Sequence, residues 1–158
     1  MNTNKKTTRI FEDVKMNVKI KLAALWAASM LLFIYVDYFY LYVPGNLEEM
    51  IAGRMGPFPT TQVPLLAAMT LMMIPSLMIF LSLALKAKWN RWANIIVGIL
   101  KIVVVLGSVI GESWAFYIFG TIVEVVLLSL IVWYAWKWPK QEALVDSGSA
   151  KIDTNEVD

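Results

Sequence analysis

Four apolar runs dominate this chain, at residues 22–43, 64–85, 92–111 and 114–136. Each run is long enough to cross about 30 Å of hydrocarbon as an α-helix. A segment inside lipid must satisfy its own backbone hydrogen bonds, so a run of this length predicts a helix. We therefore predict an all-α fold, a four-transmembrane-helix bundle made of two antiparallel hairpins.

The composition agrees with a membrane protein and excludes several kinds of site. Hydrophobic residues make up 59% of the 158 residues, above the roughly 45–50% of soluble domains, which at this size have too much surface to bury such a surplus. The chain has no cysteine and no histidine, the usual nucleophile, general base and metal ligands. We therefore predict no catalytic residues, no metal and no cofactor, and these absences disfavour an enzyme. A net charge of only +2 gives no reason to expect a nucleic-acid partner.

Three regions are expected: a basic cytoplasmic segment at 1–21, a membrane domain at 22–138, and a disordered polar tail at 139–158. The first apolar run is too long for a signal-peptide core of about 7–15 residues, and no small-residue cleavage site follows it. A short surface helix with Asn46 as its N-cap is predicted at 46–55. Pro75 predicts a kink that frees the carbonyl of Leu71, for which Ser76 or a neighbouring helix is a candidate partner.

The basic residues alternate along the chain in a way that predicts orientation. Lys and Arg number six before the first span, one in the first loop, three in the second, none in the third and three after the last span. Because cytoplasmic segments carry the excess of Lys and Arg, both termini are predicted to be cytoplasmic. The linker at 86–91 is then a headgroup anchor at the inner interface.

Three ionisable residues, Asp37, Lys101 and Glu124, lie within the apolar runs. Inserting a charged side chain at that depth costs about 2.5–3.5 kcal/mol on insertion scales. Such a residue is therefore expected to have a counter-ion or a functional role. Lys101 lies ten residues before Gly111, and Glu124 ten residues after Trp114. With a two-residue turn at 112–113, both lie roughly 15 Å below the outer end, at 1.5 Å per residue. We expect these two charges to face each other near the midplane.

Polar and small residues share the helix faces of these charges. A spacing of seven places Asn94, Lys101 and Ser108 on one stripe, with Gly98 beside it. The face of Glu124 also carries Tyr117, Gly120 and Thr121, and small residues there allow close helix approach. Asp37 lies roughly 9 Å below the outer end, among tyrosines. The candidate binding or proton-relay residues are Asp37, Asn94, Lys101, Ser108, Tyr117, Thr121 and Glu124.

Two interpretations of these residues stay open. The favoured one is a small transporter or an ion- or proton-coupled carrier with a buried polar seam, dimeric because four helices enclose little space. In the other, the Lys101–Glu124 pair only specifies which helices assemble. Likewise, Asp37 is either part of an outer route or an interfacial carboxylate held by tyrosine hydroxyls, Arg54 or outer-loop amides. The methionines at 69, 72, 73 and 78 are interpreted as packing rather than as a metal path.

Several segments resemble a known protein family: Asp37–Gly45 (DYFYLYVPG), Asn90–Ile95 (NRWANI), Trp114–Phe119 (WAFYIF) and Val132–Lys140 (VWYAWKWPK). They look like a family of small bacterial four-helix integral membrane proteins of unknown function, whose layout is similar to that of DoxX-like proteins. The resemblance covers roughly residues 11–141. It implies a bacterial cytoplasmic membrane, with lipid as the surrounding partner, and it brings no activity or site residues with it.

Overall fold

The computed structural model describes residues 15–56 and 58–139, which form four long helices with a small element between the first two. In chain order these elements are α1 (Val18–Tyr40), the short α2 (Asn46–Ile51), the paired strands β1 (Arg54–Met55) and β2 (Phe58–Pro59), α3 (Gln62–Ala84), α4 (Ala87–Ser108) and α5 (Ala115–Trp136). All four long helices have 22 or 23 residues and are apolar enough to cross a membrane. The predicted four-helix bundle is therefore confirmed.

The four long helices pack as a bundle in which α1 and α5 each have two close neighbours. The helix α1 packs against α3 and α5, α5 also packs against α4, and α3 touches α4 only lightly. The core between them includes Leu22, Trp26, Met78, Leu128 and Ile131, all at most 2% exposed. The outward faces are almost wholly apolar, which is the pattern expected when lipid replaces water as the solvent of the bundle.

Two glycines bring α5 close to its neighbours. A Cβ added to Gly98 of α4 would lie 2.8 Å from Cγ2 of Val132, and one added to Gly120 of α5 would lie 2.5 Å from Cγ2 of Val36. Neither distance is compatible with a real side chain in the present packing. Gly98 and Gly120 therefore allow α5 to approach both α4 and α1 closely, which is the usual reason for small residues between membrane helices.

Several boundaries differ from the sequence-based expectations. The helix α1 begins at Val18, inside the segment expected to precede it, where the Asn17 side chain accepts a hydrogen bond from the amide of Lys19. Most of the expected basic linker forms the first turn of α4, so only Leu85 and Lys86 join α3 to α4. The α4–α5 connection spans residues 109–114 rather than two residues. The expected tail lies almost wholly outside the described residues.

The segment between α1 and α3 also corrects two local predictions. The helix α2 begins after Gly45, whose φ of +85° suits glycine, and Asn46 does not cap it but donates to the carbonyl of Tyr40 at 3.0 Å. The helix ends at Ile51, because Arg54 and Met55 pair with the following strand. The predicted surface helix at 46–55 is thus too long by four residues.

The helix α3 runs through Pro75 without interruption. Ser76 donates its hydroxyl to the carbonyl of Met72 at 3.2 Å, so the suggestion that Ser76 satisfies Leu71 is wrong. A serine hydroxyl ordinarily reaches the carbonyl four residues before it, and for Ser76 that is Met72.

Candidate functional site

A buried ion pair joins α4 to α5. Lys101 Nζ lies 3.5 Å from Oε1 of Glu124, and both side chains are only 6% exposed. Gly98 lies one turn before Lys101 and Gly120 one turn before Glu124, so the two close helix contacts flank the pair. The structure places the two charges together, as their equal depth in the sequence predicts.

The same pair also faces α1. The ammonium of Lys101 lies 4.0 Å from the centroid of the Phe33 ring, close enough for a cation–π interaction. The hydroxyl of Ser29, a residue only 1% exposed, lies beside the carboxyl group of Glu124. Within the described part of the chain, neither Ser29 Oγ nor Glu124 Oε1 has a hydrogen-bond partner of good geometry. Among the described residues, Lys101 is the cation that pairs with this carboxyl group.

Asp37 completes a charged cluster of three residues, Asp37, Lys101 and Glu124. It lies one helical turn beyond Phe33 on α1, within range of electrostatic attraction to Lys101. Unlike the other two residues it is exposed, and among residues 15–56 and 58–139 it forms no ion pair. With two carboxylates and one ammonium, the charged cluster has one more negative group than positive.

The tyrosines and Arg54 do not hold Asp37. The hydroxyls of Tyr38 and Tyr42 bond to each other at 2.8 Å, which raises the pKa of Tyr42, and Tyr40 donates to Oε2 of Glu112 at 3.1 Å. Arg54 pairs with Glu49 at 3.5 Å on the exposed loop. The alternative of an interfacial carboxylate tied to these groups therefore has no contact that supports it in the described residues.

Asp37 opens instead into a groove between α1 and α3, called here the Asp37 groove. Its volume is about 430 Å³, and its other lining residues are Met30, Phe33, Ile34, Met69, Met72, Met73 and Ser76. Three of the four methionines interpreted as packing thus line this groove, whereas Met78 is 2% exposed and belongs to the core.

A second polar group, the asparagine network, lies towards the other end of the bundle. Asn94 accepts from the indole N–H of Trp26 at 2.7 Å and from the hydroxyl of Ser82 at 3.2 Å. It donates to Asn90, whose own amide donates to the Ser82 carbonyl at 2.5 Å. All four residues are fully buried. The network links α1, α3 and α4 by hydrogen bonds. It fills the interior between the charged cluster and the end of the bundle where α1 begins.

Sequence reasoning placed Asn94 in the interior but missed the other members of this network. The available signal was Asn90, which lies four residues before Asn94 and so on the same face of α4. The interpretation of residues 86–91 as a linker leaves Asn90 outside the predicted helix, whereas α4 begins at Ala87. Ser82 and Trp26 carried no distinctive pattern, since single serines and tryptophans are common in apolar helices.

The remaining candidate residues are spread between the cluster and the outer end. Thr121 is buried, 8% exposed, one turn from Glu124. Tyr117 is half-buried and packs edge-on against Tyr40, with ring centroids 5.5 Å apart. Ser108 is exposed and donates to the carbonyl of Val105 in its own helix. The structure brings Thr121 to the charged cluster, but not Ser108.

The two ends of the bundle differ in charge. Near the start of α1, the end of α3 and the end of α5, the described residues carry only positive side chains: Lys15, Lys19, Lys21, Lys86, Lys88, Arg91 and Lys137. Lys19 donates to the carbonyls of Leu83 and Leu85, and Arg91 lies over the ring of Trp136. The opposite end has three glutamates and Arg54.

The comparisons with known proteins identify a family. The model of a family of unknown function, DUF6326, matches residues 8–145. The chain belongs to this family. The resemblance to a membrane protein family of unknown function is therefore confirmed, and the four apolar helices of this DUF6326 member fit it. Neither the curated proteins nor the solved structures gave a match.

Membership in DUF6326 assigns no chemistry to any residue, so the site rests on geometry alone. Within residues 15–56 and 58–139, no group of three or more carboxylates is arranged to hold a metal ion. The site offers one ammonium paired with a shielded carboxylate, Glu124, and a second carboxylate, Asp37, that opens into a groove. Such an arrangement is suited to exchanging protons or monovalent cations.

Proposed function

We propose that this protein is a small multi-pass carrier of a bacterial cytoplasmic membrane, coupled to protons or cations through the charged cluster. The observation that carries the proposal is the 3.5 Å contact between buried Lys101 and Glu124. Asp37, which forms no ion pair among the described residues, lies on α1 one turn from Phe33, the ring against the Lys101 ammonium. Three ionisable groups at membrane depth on three helices are costly, and such groups commonly mark ion and proton routes.

The proposed mechanism uses the excess carboxylate. Lys101 can neutralise only one of its two acidic neighbours at a time, and a lysine side chain is long and flexible. When it pairs with Glu124, Asp37 takes up a cation or a proton from the groove. When it turns towards Asp37, Glu124 is left without a counter-ion and takes up a proton, because a lone carboxylate is expensive at this depth. In the arrangement described above, Asp37 is accessible and Glu124 is shielded.

The orientation proposed for the carrier places both termini in the cytoplasm. The basic end of the bundle then meets the anionic inner leaflet, in accord with the positive-inside rule. The exposed rings of Trp89, Trp92, Trp133 and Trp136 lie at this same end, where indole rings prefer the headgroup layer. The Asp37 groove then lies in the outer half, and the asparagine network closes the inner half. A dimer is the expected assembly, since one bundle encloses little space.

Proton flux into proteoliposomes tests this proposal. A trapped pH-sensitive dye should report faster acidification in vesicles with the protein than in protein-free vesicles when an inside-negative potassium diffusion potential is imposed. Glu124→Gln should abolish the difference while the protein keeps its elution volume. The matched control is Glu48→Gln, which changes an exposed carboxylate on α2. Flux that survives Glu124→Gln would refute the carrier.

A second candidate function is structural, and the glycine contacts favour it. Gly98 and Gly120 bring α5 against both neighbours at the level of the ion pair, so Lys101 and Glu124 would select the correct helix pairing within a membrane assembly. This alternative predicts that exchanging the two charges, in Lys101→Glu with Glu124→Lys, preserves function and oligomeric state.

A further inference from the structure

The Asp37 groove offers a site for a ligand whose charge and shape follow from its walls. Among the described residues that line it, the one charged side chain is Asp37 and the one uncharged polar side chain is Ser76, whose hydroxyl already donates to Met72. Every other lining side chain is a thioether, an aliphatic group or the ring of Phe33. The groove is therefore apolar around a single carboxylate.

The charge of the ligand follows from Asp37, which forms no ion pair with any other described residue. A carboxylate at membrane depth without a close counter-ion is energetically costly, and Lys101 is already bound to Glu124. A ligand with one positive charge would neutralise Asp37. A second positive charge would have no partner among the groove's side chains.

The walls also select what carries that charge. Small hard cations such as Mg²⁺ and Ca²⁺ need several oxygen ligands, and the groove provides only the oxygens of Asp37 and Ser76. Methionine thioethers and an aromatic ring are polarisable and adapt to apolar groups of varied shape. The volume of about 430 Å³ lies within the range of small-molecule sites, roughly 300–1,000 Å³.

We infer that the Asp37 groove binds a monovalent organic cation with an apolar body, such as a substituted ammonium or phosphonium ion. The carboxylate of Asp37 neutralises the charge, and the methionine side chains of α3 cover the apolar groups. If the bound cation is also transported, the inference rests on the proposed function, because the cation is then the substrate of the proposed carrier. In that setting, a cation on Asp37 keeps Lys101 on Glu124, and its departure lets Lys101 turn and Glu124 take up a proton.

The test is binding of tetraphenylphosphonium to the full chain in lipid nanodiscs, measured by equilibrium dialysis against empty nanodiscs. Triphenylphosphine oxide, which is similarly apolar but uncharged, corrects for partition into lipid. We expect saturable binding of the cation alone. Asp37→Asn should weaken it at least tenfold, and Met72→Trp, which fills the groove and keeps the carboxylate, should also weaken it. Glu48→Gln should leave it unchanged.

The double variant Lys101→Met/Glu124→Gln separates this inference from the proposed function. It removes the exchange pair and the lysine that competes for Asp37, so it should bind the cation as tightly as the wild type or more tightly, without proton flux. Binding by a wild type that shows no flux would support the site and refute the carrier. Equal binding of the cation by wild type and Asp37→Asn would overturn the inference. Equal binding of the uncharged analogue would also overturn it, because a groove that holds a lipid tail or a second copy of the chain would not select for charge. Binding of Ag⁺ but not of tetraphenylphosphonium would overturn it too, and would indicate a thioether metal site.

Discussion

Lys101 of α4 and Glu124 of α5 form an ion pair with 3.5 Å between Nζ and Oε1, and both side chains are almost completely buried. The pair also contacts α1, since the Lys101 ammonium lies against Phe33 and the Glu124 carboxyl group lies beside Ser29. One lysine thus links three of the four long helices. The consequences for stability, packing, topology and transport can be measured separately.

The first prediction concerns the stability of the ion pair. Lys101→Met leaves the Glu124 carboxylate buried without a counter-ion, and we expect a loss of about 3–5 kcal/mol in the free energy of unfolding. Lys101→Met/Glu124→Gln should recover most of that loss, because no uncompensated charge remains. Denaturant titration in detergent micelles would measure both values. A single variant as stable as the wild type would show that the two groups do not depend on each other.

The second prediction concerns the close helix contacts. Gly120→Ala places a methyl group 2.5 Å from a β-branched side chain, and Gly98→Ala places one 2.8 Å from Val132. Overpacking of this kind costs about 1–3 kcal/mol. The matched control is Gly107→Ala on α4, where an added Cβ has nothing within 4 Å and alanine is the better helix former. In thermal denaturation, Gly98→Ala and Gly120→Ala should both have a lower Tm than the wild type. Gly107→Ala should have a Tm equal to that of the wild type or higher.

The third prediction concerns the asparagine network. Asn94→Leu removes the acceptor of the Trp26 and Ser82 hydrogen bonds and the donor to Asn90. Each buried polar group left unpaired costs about 1–3 kcal/mol. Thr70→Val serves as the control, since its hydroxyl is exposed and bonds only to its own helix. A smaller loss of stability for Asn94→Leu than for Thr70→Val would contradict this view of the network.

The fold could be predicted from the sequence because four long apolar runs leave a lipid-embedded chain few alternatives to helices. The contact between Lys101 and Glu124 could also be predicted, because a short connection between two helices converts sequence distance into depth. Their six-residue connection, longer than expected, leaves the two charges at matching levels. Counting residues from the connection between α4 and α5 was therefore enough to predict that Lys101 and Glu124 lie at the same level.

Other features depend on tertiary contacts that no local pattern carries. Ser108 lies within about 20° of Lys101 around a straight helix, but it is the last residue of α4 and is exposed, and the last buried residue of that helix is Val105. The Asp37 groove is lined by residues of α1 and α3, two helices that are far apart in the sequence, so no local pattern indicates it. The missing partner of Asp37 could not be predicted either, because its neighbouring tyrosines bond elsewhere.

The fourth prediction concerns topology. The chain has no cysteine, so single cysteines can be introduced without a background. In intact cells, a membrane-impermeant maleimide should label Glu48→Cys, which lies on the exposed helix α2. It should label Lys88→Cys, at the basic end of the bundle, only after the cytoplasmic membrane has been permeabilised. The reverse pattern would place the termini outside and refute the proposed orientation.

The most direct test of the carrier compares proton flux through wild-type protein and through Lys101→Glu/Glu124→Lys, reconstituted at equal density. The exchanged variant keeps an ion pair between α4 and α5 but places a carboxylate beside Phe33 and an ammonium beside Ser29. The account predicts flux above that of protein-free vesicles for the wild type, and loss of that flux in the exchanged variant at an unchanged elution volume. Equal flux through both proteins, or no flux through the wild type, would contradict it.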